Sequence, residues 1–368
     1  MTPEDALTGL FGPAPPEAAQ FAPAFLAQVP ASEIAWIVTG LRQQFGALET
    51  VAPEGDGFRL RFERSTVPAK IFLDGAGRIS GLWFGAPVPD GPIDAHVAAI
   101  KALPGDVALL VLKDGETLHA HNAERPLAVG SAAKLAILKA LADAVAKGAR
   151  HWTEVAELHP EWKSLPSGML QDWPDGTPLT LGSLAHLMIS ISDNTATDAL
   201  IRLLGRETVE AYAPHSKPFL TTREAFTLKT AETAALRTKW EMTDEAGRRE
   251  ILERIATRPL PPAQMLSTDP TFKAVEWFFS AEELCTLLEA VAELPSVGIN
   301  PGPITPGDWQ SFAYKGGSET GVLNLSSRVV GRDGVTRCVV ATWNHNAALD
   351  DNLLLTPYAG LLAALAAD

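Results

Sequence analysis

Residues 1–93 change their hydrophobic period partway along. PEAAQFAPAFLAQV (Pro16–Val29) and ASEIAWIVTGLRQQF (Ala31–Phe45) read as helical stretches, the second with Ser32 as its N-cap. Three short alternating runs follow: GFRLRFE at 57–63, VPAKIFLD at 67–74 and RISGLWFG at 78–85. Each is bounded by Gly, Pro or Asp, which predicts antiparallel strands joined by turns. Helices ahead of a small sheet make an α+β domain. APVPDGP at 86–92 is the best linker candidate.

A second unit starts at about Ile93 with a helical run, IDAHVAAIKAL. DVALLVLKDGETLHAHNAE predicts two strands around a Lys-Asp-Gly turn. A helical pattern covers 131–148, and a mostly helical middle covers about 180–295. Strands return in SFAYKGG, GVLNLSSRVVGRDG and TRCVVATWN, and LLLTPYAGLLAALAAD predicts a closing helix. Strands from both ends of this unit, with helices between, imply one antiparallel sheet flanked by helices. The expected domains are 1–93 and 94–368. The nine tryptophans read mostly as core and domain-packing residues.

Composition narrows the functions. The apolar fraction of 46% over 368 residues supports a sizeable core, and the charged fraction of 20% is too low for a disordered chain. A net charge of −14 argues against partners rich in phosphate, both nucleic acid and anionic membrane surfaces. No apolar run approaches the roughly 20 residues of a membrane span. MTPEDALTGLFGPAPPEAA lacks the basic and apolar regions of an export signal. A cytoplasmic location stays open, as does a periplasmic or secreted one if a signal was removed. Cys285 and Cys338 fit no CxxC metal pattern. They read as two buried free thiols or one disulfide, the free thiols being the plainer reading. His151 and His159 lack HExxH spacing, so no zinc site is indicated and no cofactor is expected.

Three short motifs carry the candidate chemistry. Ser131-Ala132-Ala133-Lys134 precedes a strong helical pattern and places Ser131 and Lys134 on one helix face. Serine needs a neighbouring base to act as a nucleophile, and a lysine desolvated near another cation can release its proton to become one. A helix N-terminus also offers free N–H groups to a developing oxyanion. Alone, the motif reads as an N-cap serine beside an exposed lysine. Ser192-Asp193-Asn194 stands between two helical runs, as a cap or as a hydroxyl and an amide presented to a ligand. Tyr314-Lys315-Gly316-Gly317-Ser318 ends a strand, where glycines let the backbone approach a ligand closely or simply mark a bulge.

In that order, SxxK, SDN and a Lys-x-Gly triplet resemble the motif set of serine β-lactamases and penicillin-binding proteins. LMISISDNTATDALIRLLG, HNAERPLAVGSAAKL and KGGSETGVLNLSS are similar to the corresponding class A regions, and the resemblance spans about residues 94–368. It implies a C-terminal α/β fold of the β-lactamase/transpeptidase type. Further implied roles are Ser131 as the acylated nucleophile, Lys134 as base or relay and Ser192 as proton shuttle. Lys315 would support the electrostatics, and Asn194 would contact the substrate. The backbone N–H groups of Ser131 and Ser318, the latter following Gly317, would form the oxyanion hole.

Two departures stand out. Gly316 replaces the usual Thr or Ser, whose hydroxyl helps hold a substrate carboxylate. No ExxLN pattern supplies the class A deacylating glutamate, and Glu207, Glu210 and Glu224 lack its context. The front region resembles the steroid-isomerase-like (NTF2-like) domain of the clavulanate-pathway β-lactamase-like protein. Glu63 and Asp74 read there as turn or surface charges. His345 reads as structural, with a place in the cleft as the alternative.

The expected activity is serine hydrolysis of a small ester or lactam-like substrate through an acyl-enzyme, with weak or no class A turnover. The alternatives are a true β-lactamase or penicillin-binding D,D-peptidase, and a low-turnover small-molecule binding protein.

Overall fold

The helices α1 (Pro3–Leu10) and α2 (Ala31–Phe45) bury one stripe each, Leu7 and Leu10 on the first and Ile34, Val38 and Phe45 on the second. These stripes share a core with Leu60, Phe62, Val67, Ala69 and Ile71 from a small sheet. The computed structural model describes residues 2–368. Its contacts gather into two units: the chain up to Ala99 with Asn352–Asp368, and Ile100–Asp351.

The sheet of the first unit runs β1 (Leu48–Glu54), β2 (Gly57–Phe62), β3 (Ser65–Leu73) and β4 (Ile79–Phe84) as an antiparallel meander. A two-residue strand, β5 (Val88–Pro89), adds to the start of β3. The steroid-isomerase-like cone expected here does not form. β1 and β4 are the ends of the strand order and never pair, so the sheet is neither curled nor closed. Strands of 6 to 9 residues joined by tight turns supply no long bent strand to wrap into a cone.

Details within 1–93 also depart from expectation. Between 16 and 29 there is only a 3₁₀ turn (Ala18–Gln20) and a four-residue helix (Pro23–Leu26), because proline removes a donor and blocks the preceding turn. α2 starts at Ala31 with Pro30 as its cap, not Ser32. α1, capped by Thr2 and Asp5, precedes both helical stretches read from the sequence. Trp36 and Trp83 are exposed, whereas Trp240, Trp277, Trp309 and Trp343 are buried.

The second unit holds β6 (Asp106–Lys113), β7 (Glu116–His121), β8 (Ser311–Glu319), β9 (Val322–Val330) and β10 (Thr336–Asn344) in one antiparallel sheet. The order β8-β9-β10-β6-β7 brings the two ends of this unit together, with Val340 opposite Leu110. Helices α3 (Lys134–Ala146), α4 (Leu181–Ser190), α5 (Asn194–Leu204), α6 (Thr222–Leu228) and α7 (Ala281–Val291) contribute to its core. α3 lies near the centre, with Leu135, Ile137, Leu138 and Leu141 all buried. α7 packs against the sheet, and Cys285 on it is bonded to Cys338 on β10, with Cα atoms 6.0 Å apart. The reading of two free thiols is thereby corrected: each side chain points from its own element into the same interface.

The closing helix, α8 (Asn352–Ala367), lies beside β5 within the first unit. Among the described residues, no helix is long and apolar enough to cross a membrane.

Candidate active site

The segment leading to Ser131 is held from both sides. The Asn344 amide accepts from Ala128 N at 2.9 Å and donates to Ala128 O at 2.8 Å, while Val129 N donates to Trp277 O at 2.9 Å. A 3₁₀ turn, Gly130–Ala133, then feeds directly into α3. Ser131 is half-buried at the start of this core helix, and Lys134 is its first residue. β8 crosses immediately beside the turn. A Cβ built on Gly317 would fall within 3 Å of Val129 O, Ser131 N and Ala132 N. Only glycine permits that approach, so the strand that carries Ser318 runs against the backbone N–H of Ser131.

Ser192-Asp193-Asn194 divides the alternative uses of the corner between its three residues. Asp193 is the N-cap of α5, accepting from Ala196 N at 2.8 Å, and its other oxygen accepts from Met169 N at 2.7 Å and Leu170 N at 3.0 Å. Ser192 takes a left-handed conformation, φ +58°, uncommon for a residue with a side chain. This turn aims its hydroxyl at two lysines. Lys134 Nζ donates to Ser192 Oγ at 2.9 Å, to Ser192 O at 2.6 Å and to Asn194 Oδ1 at 2.7 Å. Lys315 Nζ donates to Ser192 Oγ at 3.2 Å and to Gly316 O at 2.6 Å. The other end of the Asn194 amide donates to Leu165 O at 3.0 Å.

Burial sets the protonation of the two lysines. Lys134 is pushed well below the usual lysine range, first by desolvation and then by the charge on Lys315. Desolvation alone brings Lys315 down to about 7. Both are 5% exposed or less.

Ser131, Lys134, Asn194 and Ser318 line one cleft of about 290 Å³, near the lower end of the range for small-molecule sites. Ser192 and Lys315 join it through the hydrogen bonds above, and Gly317 through its close approach. All seven residues singled out in the sequence therefore meet at one place. Glu207, Glu210 and Glu224 are absent from the cleft lining. Glu224 belongs to the capping box of α6 and pairs with Arg206, and Glu207 and Glu210 face Arg249. His345 is also outside the lining; its Nδ1 accepts from Ala347 N at 3.1 Å.

The structure adds residues that the motifs did not reveal. Thr222, Lys229 and Glu319 line the cleft. Lys229 pairs with Glu276, and with Glu319 at 2.5 Å. Burial opposes its charge, but the two carboxylates outweigh burial and raise its pKa. Behind Thr222 lies Asp198, four residues after Asn194 on α5. That helical spacing is the one sequence signal that could have pointed to it.

Gly316 also has an explanation in space. A Cβ there would overlap the Tyr314 hydroxyl. Tyrosine thus occupies the room that a threonine side chain would need. Burial raises the Tyr314 pKa and keeps the phenol neutral.

An SxxK serine opening a core helix, an SDN corner and a Lys-x-Gly strand around one cleft define the class: the serine-hydrolase superfamily of β-lactamases and penicillin-binding proteins. The chain belongs to the beta-lactamase enzyme family, whose model matches residues 93–294. A β-lactamase from Sphaerobacter thermophilus is 24% identical, with a TM-score of 0.51 over 74% of this chain and 94% of that one. TLA-3 extended-spectrum β-lactamase is 12% identical, with a TM-score of 0.52 over 74% of this chain and 96% of that one. At these identities the likeness shows the β-lactamase/transpeptidase-like fold. No curated protein matches the chain.

Proposed function

We propose that this protein is a serine hydrolase that takes an acyl group onto Ser131 from a small ester or strained amide and passes it to water. The observation that carries this reading is the shared Ser192 hydroxyl, which accepts from both Lys134 and Lys315 beside the cleft that holds Ser131. In it, Lys134 removes the Ser131 proton as Oγ attacks the carbonyl carbon. Ser192 hands a proton to the leaving group, and Lys315 steadies the charge that develops around it. The N–H groups of Ser131 and Ser318 hold the oxyanion, and Asn194 keeps Lys134 in place while bordering the substrate.

Weak β-lactam turnover fits the lining of the cleft. None of the three candidate glutamates reaches it, so water activation of the class A type has no carboxylate from that set. Gly316 presents no hydroxyl for a lactam carboxylate, and esters without that group become the favoured substrates.

The test is intact mass after incubation with a penicillin, a cephalosporin and a short-chain aryl ester, for wild type and Ser131→Ala. A Ser131-dependent adduct or ester turnover is the expected result. Neither adduct nor turnover with any of the three would overturn the reading in favour of a binding protein. Rapid β-lactam turnover would instead make it a true β-lactamase.

A further inference from the structure

Asp198 is a fully buried carboxylate for which the chemistry above has no use. It is 1% exposed, and none of the described lysines or arginines forms an ion pair with it. Its Oδ1 accepts from Thr222 N at 2.6 Å and from Thr222 Oγ1 at 2.9 Å, and its Oδ2 accepts from Arg223 N at 2.9 Å. Thr222 lines the same cleft as Ser131 and Lys134. Its hydroxyl also meets Ser164 Oγ at 2.7 Å and Asn194 O at 3.3 Å, within one hydrogen bond of the residue that holds Lys134. A cleft-lining threonine thus sits in front of a buried carboxylate, its hydroxyl bonded to that carboxylate, in a site with no glutamate from the candidate set.

We infer that Thr222 and Asp198 form a two-step proton relay that activates the water for deacylation of Ser131. The inference rests on the acyl-enzyme reading above. The water oxygen bonds to the acyl carbon as one of its O–H bonds breaks. That proton passes to Thr222 Oγ1 while the threonine proton passes to Asp198 Oδ1. Collapse of the tetrahedral intermediate breaks the bond from carbon to Ser131 Oγ. The proton returns through Thr222 to the serine oxygen, leaving a free hydroxyl and the acid. Thr222 touches the reacting water, and Asp198 acts through Thr222.

The surroundings of Asp198 suit a base that works near neutrality. Burial raises its pKa to about 7 against the three hydrogen bonds it accepts, and Glu224 on α6 adds to the rise. The opposing charges are Lys134 on α3 and Arg223 on α6, and Glu161 faces Arg223 from the neighbouring 3₁₀ turn. The relay therefore needs Asp198 ionised, and deacylation falls as the pH drops through about 7.

The experiment follows formation and decay of the acetyl adduct from p-nitrophenyl acetate by rapid quench and intact mass, from pH 5.5 to 8.5. It compares wild type with Thr222→Val, Thr222→Ser, Asp198→Asn and Ser131→Ala. Thr222→Val is expected to lengthen the adduct lifetime at least tenfold, with the adduct accumulating. Thr222→Ser, which keeps the hydroxyl, is expected to stay within about threefold of wild type; this also separates loss of the relay from loss of the fold. Asp198→Asn is expected to slow decay and flatten its pH profile. Ser131-dependent adducts with wild-type lifetimes in Thr222→Val and Asp198→Asn would overturn the relay and leave the acyl-enzyme reading standing. No adduct and no Ser131-dependent turnover in wild type would overturn both.

Discussion

Lys134 Nζ lies 2.9 Å from Ser192 Oγ, although the two residues are 58 positions apart in the chain. The contact depends on a left-handed serine at the end of one helix and a buried lysine at the start of another. Lys315 reaches the same oxygen from β8. This convergence is where substitution should be most costly.

Ser192→Ala removes the oxygen shared by both lysines. Acylation by an aryl ester is expected to slow by about 10²- to 10⁴-fold, the range for losing a positioned proton-transfer group. The fold should survive, because Asp193 keeps the helix cap. Stopped-flow release of the aryl alcohol, with circular dichroism alongside, measures both.

The pH dependence of stability should carry the mark of Lys315. In the unfolded chain it keeps its proton up to about 10.5, and in the fold it releases it through about 7. Between these values the unfolded state binds more protons, so this residue makes stability rise with pH. Below about 7 the buried charge costs its full penalty. Lys315→Met should therefore gain stability most at pH 6, with the gain shrinking by pH 10. Urea unfolding at both pH values checks the sign.

Gly317→Ala places a methyl group against backbone atoms of the Ser131 turn, which cannot swing aside as a side chain can. Overpacking of this kind costs about 1–3 kcal/mol. A displaced nucleophile costs rate as well, on the order of 10²-fold for a shift near 1 Å. Urea midpoints and acylation rates should fall together. A variant with unchanged acylation would show that β8 does not fix the serine turn.

The Cys285–Cys338 bond closes a loop of 53 residues. Loop-closure entropy at that length gives a contribution of about 4 kcal/mol. The double variant Cys285→Ala/Cys338→Ala should lose up to that amount by urea unfolding. Ser131-dependent acylation should persist, since neither cysteine lines the cleft.

The sequence by itself determined which motif residues come together. The order SxxK, SDN, Lys-x-Gly named seven of the residues that meet at the cleft, because that motif set is written in short local spacings. It also determined the second unit's sheet from both ends of that unit, since alternation and turn residues are local signals. The tertiary structure alone decided what depends on distant neighbours. It bonded Cys285 to Cys338, because α7 lies on the strand that carries the other sulfur. It left the front sheet open instead of curled, a matter of which strands pair and how far they bend. It filled the space beside Gly316 with Tyr314. And it set Asp198 behind Thr222, a contact between α5 and α6 that no short motif could encode.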